Sequence, residues 1–159
     1  MNIIMPLNSI GIIHTAFKRP EGTPIQPAYA DGAEGIIELF PDYREGLSDM
    51  EGFERIWLIY WFDRTIPARL KVVPFRDNVE RGVFATRAPC RPNPIGLSAV
   101  RLLGIDGLKL RVADIDILDG TPLLDIKPYI PSIDSFPESR AGWFADSRNE
   151  RRQADDRFE

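Results

Sequence analysis

The sequence predicts a mainly β fold, and three observations point that way. Fourteen prolines and twelve glycines are scattered through 159 residues, leaving no clear helical stretch longer than about a dozen residues before Gly142. Apolar, β-branched runs of strand length recur between these breakers. Two of the runs flank Asp106-Gly107, a dipeptide preferred in the two-residue type I′ turns of β-hairpins.

Residues 9–17 are apolar and β-branched and form the first predicted strand. A long loop, residues 18–32, separates it from residues 34–40, where Ile36, Ile37 and Leu39 lie between Gly35 and Pro41 and make a second strand. Residues 43–50, with Leu47 and Met50 three apart after Pro41 and Asp42, predict a short helix. The run at residues 54–63 carries unbroken apolar residues from Ile56 to Phe62, too continuous for a strand with one wet face. It is expected to be buried on both sides, as a barrel wall covered by a partner. Residues 97–105 and 108–117 form the hairpin around Asp106-Gly107, and residues 123–129 make one more strand after the turn Asp119-Gly120-Thr121-Pro122, closed by Pro128 and Pro131. Beyond Trp143 the chain is charged and nearly free of aliphatics. That composition predicts a surface helix or a frayed tail, which divides the chain into a domain at residues 1–143 and a charged tail at 144–159.

A chain of this length buries roughly two-thirds of its unfolded surface and needs no disulfide or metal staple. Its net charge of -4 argues against attachment to nucleic acid or anionic lipid by bulk charge alone. One cysteine, Cys90, and one histidine, His14, exclude an internal disulfide and the common histidine-based zinc sites. The longest apolar run is far shorter than a membrane span, and the start lacks a charged segment followed by an apolar core, so a soluble, cytoplasmic protein without metal is expected. There is no G-x-G-x-x-G, no phosphate-binding G-x-x-x-x-G-K-S/T and no G-x-S-x-G. Charge is nevertheless segregated: residues 31–55 hold eight acids against Arg44 and Arg55, and residues 64–101 hold eight bases against Asp77 and Glu80. Two solvated faces would explain this, as would a basic rim for phosphates.

Two segments carry the chemistry. In Arg87-Ala88-Pro89-Cys90-Arg91-Pro92-Asn93-Pro94-Ile95-Gly96-Leu97-Ser98, three prolines in six residues hold the backbone extended and leave carbonyls without competing N–H donors. Arg87 and Arg91 offer forks for a carboxylate or phosphate, Asn93 an amide able to read a base edge, and Gly96 close approach to the backbone. In residues 119–129, Asp125, Lys127 and Tyr129 share one side of a strand by period two. Cys90 lies near Arg87 and Arg91 and is either an activated thiolate or an inert buried thiol. His14 ends the first strand, where it either caps, faces a ligand or acts as a base.

These two segments resemble signature stretches of the TrmO-like family, the tRNA N6-threonylcarbamoyladenosine methyltransferases that use S-adenosylmethionine. Gly11-Ile12-Ile13-His14-Thr15-Ala16-Phe17-Lys18 through Gly22-Thr23-Pro24-Ile25-Gln26-Pro27 is similar to the family's first strand and loop, and Gly52-Phe53-Glu54-Arg55-Ile56-Trp57-Leu58-Ile59-Tyr60 to its central strand. The resemblance runs from about residue 10 to 143 and fits the family's short form; many bacterial members have arginine where Ile25 stands. It implies a small antiparallel single-sheet β-barrel with long loops and a short helix, a homodimer, and a cofactor site beside the proline-rich loop near the subunit interface. It also implies in-line methyl transfer to N6 of threonylcarbamoyladenosine next to the anticodon of tRNA. On this reading Arg87, Arg91, Pro92, Asn93, Pro94, Ile95, Ser98, Asp119 and Thr121 hold S-adenosylmethionine. Lys18, Arg19, Gln26 and Lys127 meet the tRNA, and Asp125, Tyr129 or His14 takes the N6 proton. Two competing expectations are a non-enzymatic RNA-binding barrel, using residues 64–101 with Trp57, Tyr60 and Trp61 as a stacking wall, and an S-adenosylmethionine sensor.

Overall fold

The structure, a computed structural model, describes residues 3–159. Six strands close into one antiparallel barrel: β1 (Gly11–Thr15), β2 (Glu34–Leu39), β3 (Arg55–Trp61), β6 (Ile95–Asp106), β7 (Lys109–Ala113) and β8 (Thr121–Pro128). Around the barrel the order is β1-β2-β7-β6-β3-β8, and β1 pairs with β8 to complete it. The remaining strands, β4 (Lys71–Val72) and β5 (Arg81–Gly82), are a two-stranded ribbon within the long connection from β3 to β6. A single turn of α-helix, α1 (Pro131–Asp134), follows β8. Among the described residues no helix is long and apolar enough to cross a membrane.

Alternation along the strands builds the core. Ile13, Ile37, Ile56, Leu58, Val100, Leu110, Val112 and Leu123 point inward and are fully buried. Within the single chain the apolar run of β3 alternates: Ile56, Leu58 and Tyr60 are buried, whereas Trp57, Ile59 and Trp61 lie on an outer face that is only partly covered. That outer face is aromatic rather than dry; Trp57 packs on Tyr129 with ring centroids 5.3 Å apart. This geometry also breaks the expected RNA-stacking wall, because Tyr60 points into the barrel while its two neighbouring tryptophans point out.

The hairpin forms one residue later than Asp106-Gly107 suggests. Asp106 pairs with Lys109, so the turn residues are Gly107 and Leu108. Only the first of them, Gly107 at φ 60°, is left-handed, the pattern of a type II′ turn rather than I′. β7 ends at Ala113, short of the expected residue 117. Asp114 adopts φ 62° there and accepts hydrogen bonds from Arg101 (2.8 Å) and Arg55 (3.1 Å), which draws the chain out of the ladder. Residues 43–50 are not an α-helix: a 3-10 segment spans Pro41–Leu47, and Asp49 at φ 63° ends any continuation.

The C-terminal segment is neither a surface helix nor frayed. A 3-10 turn at Gly142–Asp146 leads into an extended stretch that pairs with the first long loop. Ala154 N–H donates to the Thr23 carbonyl (2.7 Å), Ile25 N–H to Arg152 (3.0 Å) and Gly22 N–H to Ala154 (3.1 Å). Phe158 then plugs a second small core with Val72, Ala88 and Cys90.

Close approach demands glycine at position 96 in particular. Gly96 of β6 faces Tyr60 of β3 in register, and a Cβ on Gly96 would lie 2.1 Å from the Tyr60 ring. Gly96→Ala is therefore expected to lower stability by about 1–3 kcal/mol through overpacking, read as a reduced melting temperature; an unchanged melting temperature would show that the ring yields freely.

Candidate functional site

The second small core fixes the proline-rich loop above the barrel mouth. Cys90 is fully buried at its centre, and burial raises its thiol pKa, so it is an inert packing residue rather than a thiolate. Arg91 turns its guanidinium back into the loop, donating from Nη1 to the carbonyls of Thr86 (3.0 Å), Ala88 (3.1 Å) and Val83 (3.4 Å). It braces the loop on which Arg87 is carried.

Between this loop, the mouth of the barrel and the C-terminal segment lies a cavity of about 760 Å³, within the range of small-molecule sites. Its apolar wall includes Phe62, Ile95, Leu97 and Phe84, while Trp143, Phe144 and Phe158 close the side made by the C-terminal segment. Arg87 reaches across it and donates from Nη1 to Gln26 Oε1 (2.5 Å). Arg64 donates from Nη2 to Thr121 Oγ1 (3.1 Å), and that hydroxyl donates to the Leu118 carbonyl (2.7 Å).

At the barrel end of the cavity sits a polar chain. The Ser98 hydroxyl donates to Asp116 Oδ1 at 2.6 Å and lies 3.0 Å from the Tyr60 hydroxyl. Since the single Ser98 proton goes to the carboxylate, Tyr60 is the donor of the second bond. Burial pushes the Asp116 carboxyl up to about 7, against the opposing pull of the Ser98 bond and the Arg87 charge. Burial, reinforced by Asp116, likewise holds the Tyr60 phenol well above its ordinary value.

The structure gathers some of the sequence-predicted residues here and disperses others. Arg87, Arg91, Ile95, Thr121 and Gln26 line the cavity, and Ser98 lies buried beneath it. Pro92, Asn93 and Pro94 border the loop outside the lining. The Pro94 carbonyl accepts from Phe62 N–H (2.7 Å) and the Asn93 carbonyl from Ile95 N–H (2.7 Å), so both are already engaged. Asp119 accepts from Lys18 Nζ (2.6 Å) and from Thr15 N–H (3.0 Å), and the Lys18 bond holds its carboxyl below the usual range. His14 Nε2 lies 3.0 Å from Glu38 on the outer face of β1. Arg19 is exposed, 3.9 Å from Glu21. Asp125, Lys127 and Tyr129 do share a face, but it is the outer one: Lys127 pairs with Asp125 at 2.9 Å. Asp125 also borders a separate cleft at the opposite end of the barrel, beside Asp42 and Asp49.

Asp116 is the residue that sequence reasoning missed. The signal was present: an acid between Ile115 and Ile117 is costly to bury and calls for a reason. The charge segregation also maps onto the fold. Arg64, Arg76, Arg87 and Arg91 border the cavity, and Asp42 and Asp49 lie at the far end. Among the described residues no group of three or more His, Cys, Asp or Glu is placed to hold a metal ion.

Comparison with known proteins identifies the same stretch. The family description "tRNA-methyltransferase O N-terminal domain" matches residues 12–135. A probable S-adenosyl-L-methionine-binding protein of Pyrococcus abyssi is 52% identical over 145 residues, covering 89% of this chain and 79% of its own. The tRNA (adenine(37)-N6)-methyltransferase of Escherichia coli is 36% identical, covering 84% of this chain and 61% of its own. The crystal structure of TrmO from Pseudomonas aeruginosa superposes with a TM-score of 0.76 at 39% identity, covering 89% of this chain and 63% of that one. The chain thus spans under two-thirds of the length of these last two.

The raised Asp116 pKa has a consequence for stability. A carboxyl at about 7 in the folded state and about 3.9 unfolded binds its proton more tightly when folded. Its contribution is full below about pH 3.9 and is lost as pH rises through about 7. Asp116→Asn is therefore expected to melt higher than the parent at pH 8, by a difference on the order of a few kcal/mol at most, and to match it near pH 4. Paired melting curves at the two pH values check this; a variant less stable at pH 8 would show that the carboxylate is held by more than these contacts.

Proposed function

Because the chain belongs to the family of the tRNA-methyltransferase O N-terminal domain, we propose that it transfers a methyl group from S-adenosylmethionine to N6 of threonylcarbamoyladenosine beside the anticodon of tRNA. The observation that carries this reading is the cavity at the barrel mouth, which combines a cationic side at Arg87 and Arg64, an apolar wall and a half-buried acid outside any ion pair, Asp116. Those three features suit a ligand that is itself carboxylate, apolar ring and cation in one molecule. S-Adenosylmethionine, when bound, supplies an electrophilic methyl group on a positively charged sulfur.

The work left to the protein is positioning. Arg87, already poised on Gln26, exchanges an amide partner for a carboxylate, a stronger charge-assisted acceptor. Phe62, Ile95 and Leu97 offer apolar surface to a ring placed in the cavity. Transfer is direct, since the single thiol, Cys90, is buried with a raised pKa and offers no covalent relay. The basic rim draws tRNA phosphates to the mouth of the cavity despite the net negative charge of the chain. A homodimer working in the cytoplasm completes the proposal. It is supported by apolar groups left exposed on the cavity side, Phe84 at 77% and Leu97 at 53%, together with the half-covered outer face of β3.

Arg87→Ala is expected to weaken S-adenosylmethionine binding by about 1.5–3 kcal/mol, measured by titration calorimetry; unchanged affinity would remove Arg87 from the site. The activity itself is tested by incubating the protein with S-adenosylmethionine and tRNA containing threonylcarbamoyladenosine. Mass spectrometry of the nucleosides is expected to show one added methyl group, and its absence with a tRNA bearing the modification would refute the assignment.

A further inference from the structure

Three acids line the cavity, and two of them are ordinary ion-pair partners: Asp63 with Arg64 at 3.2 Å, and Asp155 with Arg157 at 2.7 Å and Arg151 at 3.0 Å. Asp116 has no cation within ion-pairing distance among the described residues. Its side-chain partner is the neutral Ser98 hydroxyl at 2.6 Å, backed by Tyr60 at 3.0 Å. A half-buried acid with a neutral partner, facing a cavity, is a candidate functional group.

Resting on the methyl-transfer reading, we infer that Asp116 is the catalytic base that accepts the N6 proton, and that the positively charged sulfur entering the same cavity ionises it for that role. In the step, the N6 lone pair forms the bond to the methyl carbon. The carbon–sulfur bond breaks with its electron pair on sulfur, and the N6 proton passes to Asp116. Ser98 and Tyr60 position the carboxylate by donating along the chain to Oδ1, leaving Oδ2 for the proton.

Before transfer the cavity holds a sulfonium and a carboxylate; afterwards it holds a thioether and a carboxylic acid. The pair is neutral overall in both states, so a low-dielectric site stabilises each without a large penalty. With no cation bound, the same carboxyl is held at about 7 by burial, opposed by Ser98 and by Arg87, while Tyr60 facing it stays neutral. Cofactor and product therefore differ to Asp116 by a full charge.

The test is calorimetry of the full-length protein at pH 6, in two buffers of different ionisation enthalpy. S-Adenosylmethionine is expected to release close to one proton per site on binding, by linkage, and neutral-sulfur S-adenosylhomocysteine far less. The difference vanishes in Asp116→Asn, which still binds both. In single-turnover methylation of tRNA, Asp116→Asn is expected to be about 100-fold or more slower, with tRNA affinity unchanged. Equal proton release for the two ligands, or a variant that methylates at the parent rate, would overturn the assignment of Asp116 while leaving the methyltransferase reading intact. A parent protein that neither binds S-adenosylmethionine nor methylates tRNA would overturn both.

Discussion

The hydrogen bond between the hydroxyls of Tyr60 and Ser98 ties the end of β3 to the start of β6 inside the barrel, and the rest of the site is arranged around it. Tyr60 reaches Ser98 only because Gly96 has no side chain where its ring passes. Ser98 in turn has its proton free for Asp116 because Tyr60 supplies the other bond. Burying two hydroxyls beside a half-buried carboxyl in an aliphatic barrel is unfavourable unless each is satisfied, and here each donor has an acceptor. The barrel thus accommodates a polar cluster at one end without surrendering the aliphatic packing of Ile56, Leu58 and Val100 at the other.

The loop above the mouth is held by a different kind of packing. Arginine faces stack on aromatic rings along the C-terminal segment and its neighbours: Arg76 on Tyr29 and Phe144, Arg81 on Trp143, Arg152 on Tyr29 and Arg157 on Phe75. Guanidinium groups are flat and weakly hydrated, and they cover ring surface while keeping their charge at the edge. The result is a wall that is apolar toward the cavity and basic toward solvent, which suits a site meant to meet a polyanion.

This explains what was legible in the sequence and what was not. Strands were legible wherever period-two alternation or a turn dipeptide marked them, and five of the six barrel strands fall within one or two residues of expectation; β7 stops early at Asp114. The C-terminal segment was not legible because composition counts its arginines as charge, whereas the fold uses them as stacking surfaces. In the site, the proline-rich loop announced itself by its backbone chemistry, and Arg87 and Gln26 meet as a consequence. Asp125, Lys127 and Tyr129 drew notice by sharing a face, but periodicity does not say whether that face looks into a barrel or out of it. Asp116 escaped because an acid among isoleucines was absorbed into the hairpin strand, when in fact the ladder stops before it and the chain turns inward.

The closure of the barrel has a bearing on how the chain folds and loosens. β1 pairs with β8, bringing residues 11–13 against 121–123, so the last seam joins segments more than a hundred residues apart. Such pairings are slow to form, because the loop entropy is lost before the contacts compensate. Once formed, no strand can leave without creating two unpaired edges and opening the aliphatic interior to water. Amide exchange in all six strands is then governed by one opening event rather than by separate local ones. The Tyr60–Ser98–Asp116 chain spans that interior from β3 through β6 to the segment after β7, so the geometry of the reacting end inherits the rigidity of the whole barrel.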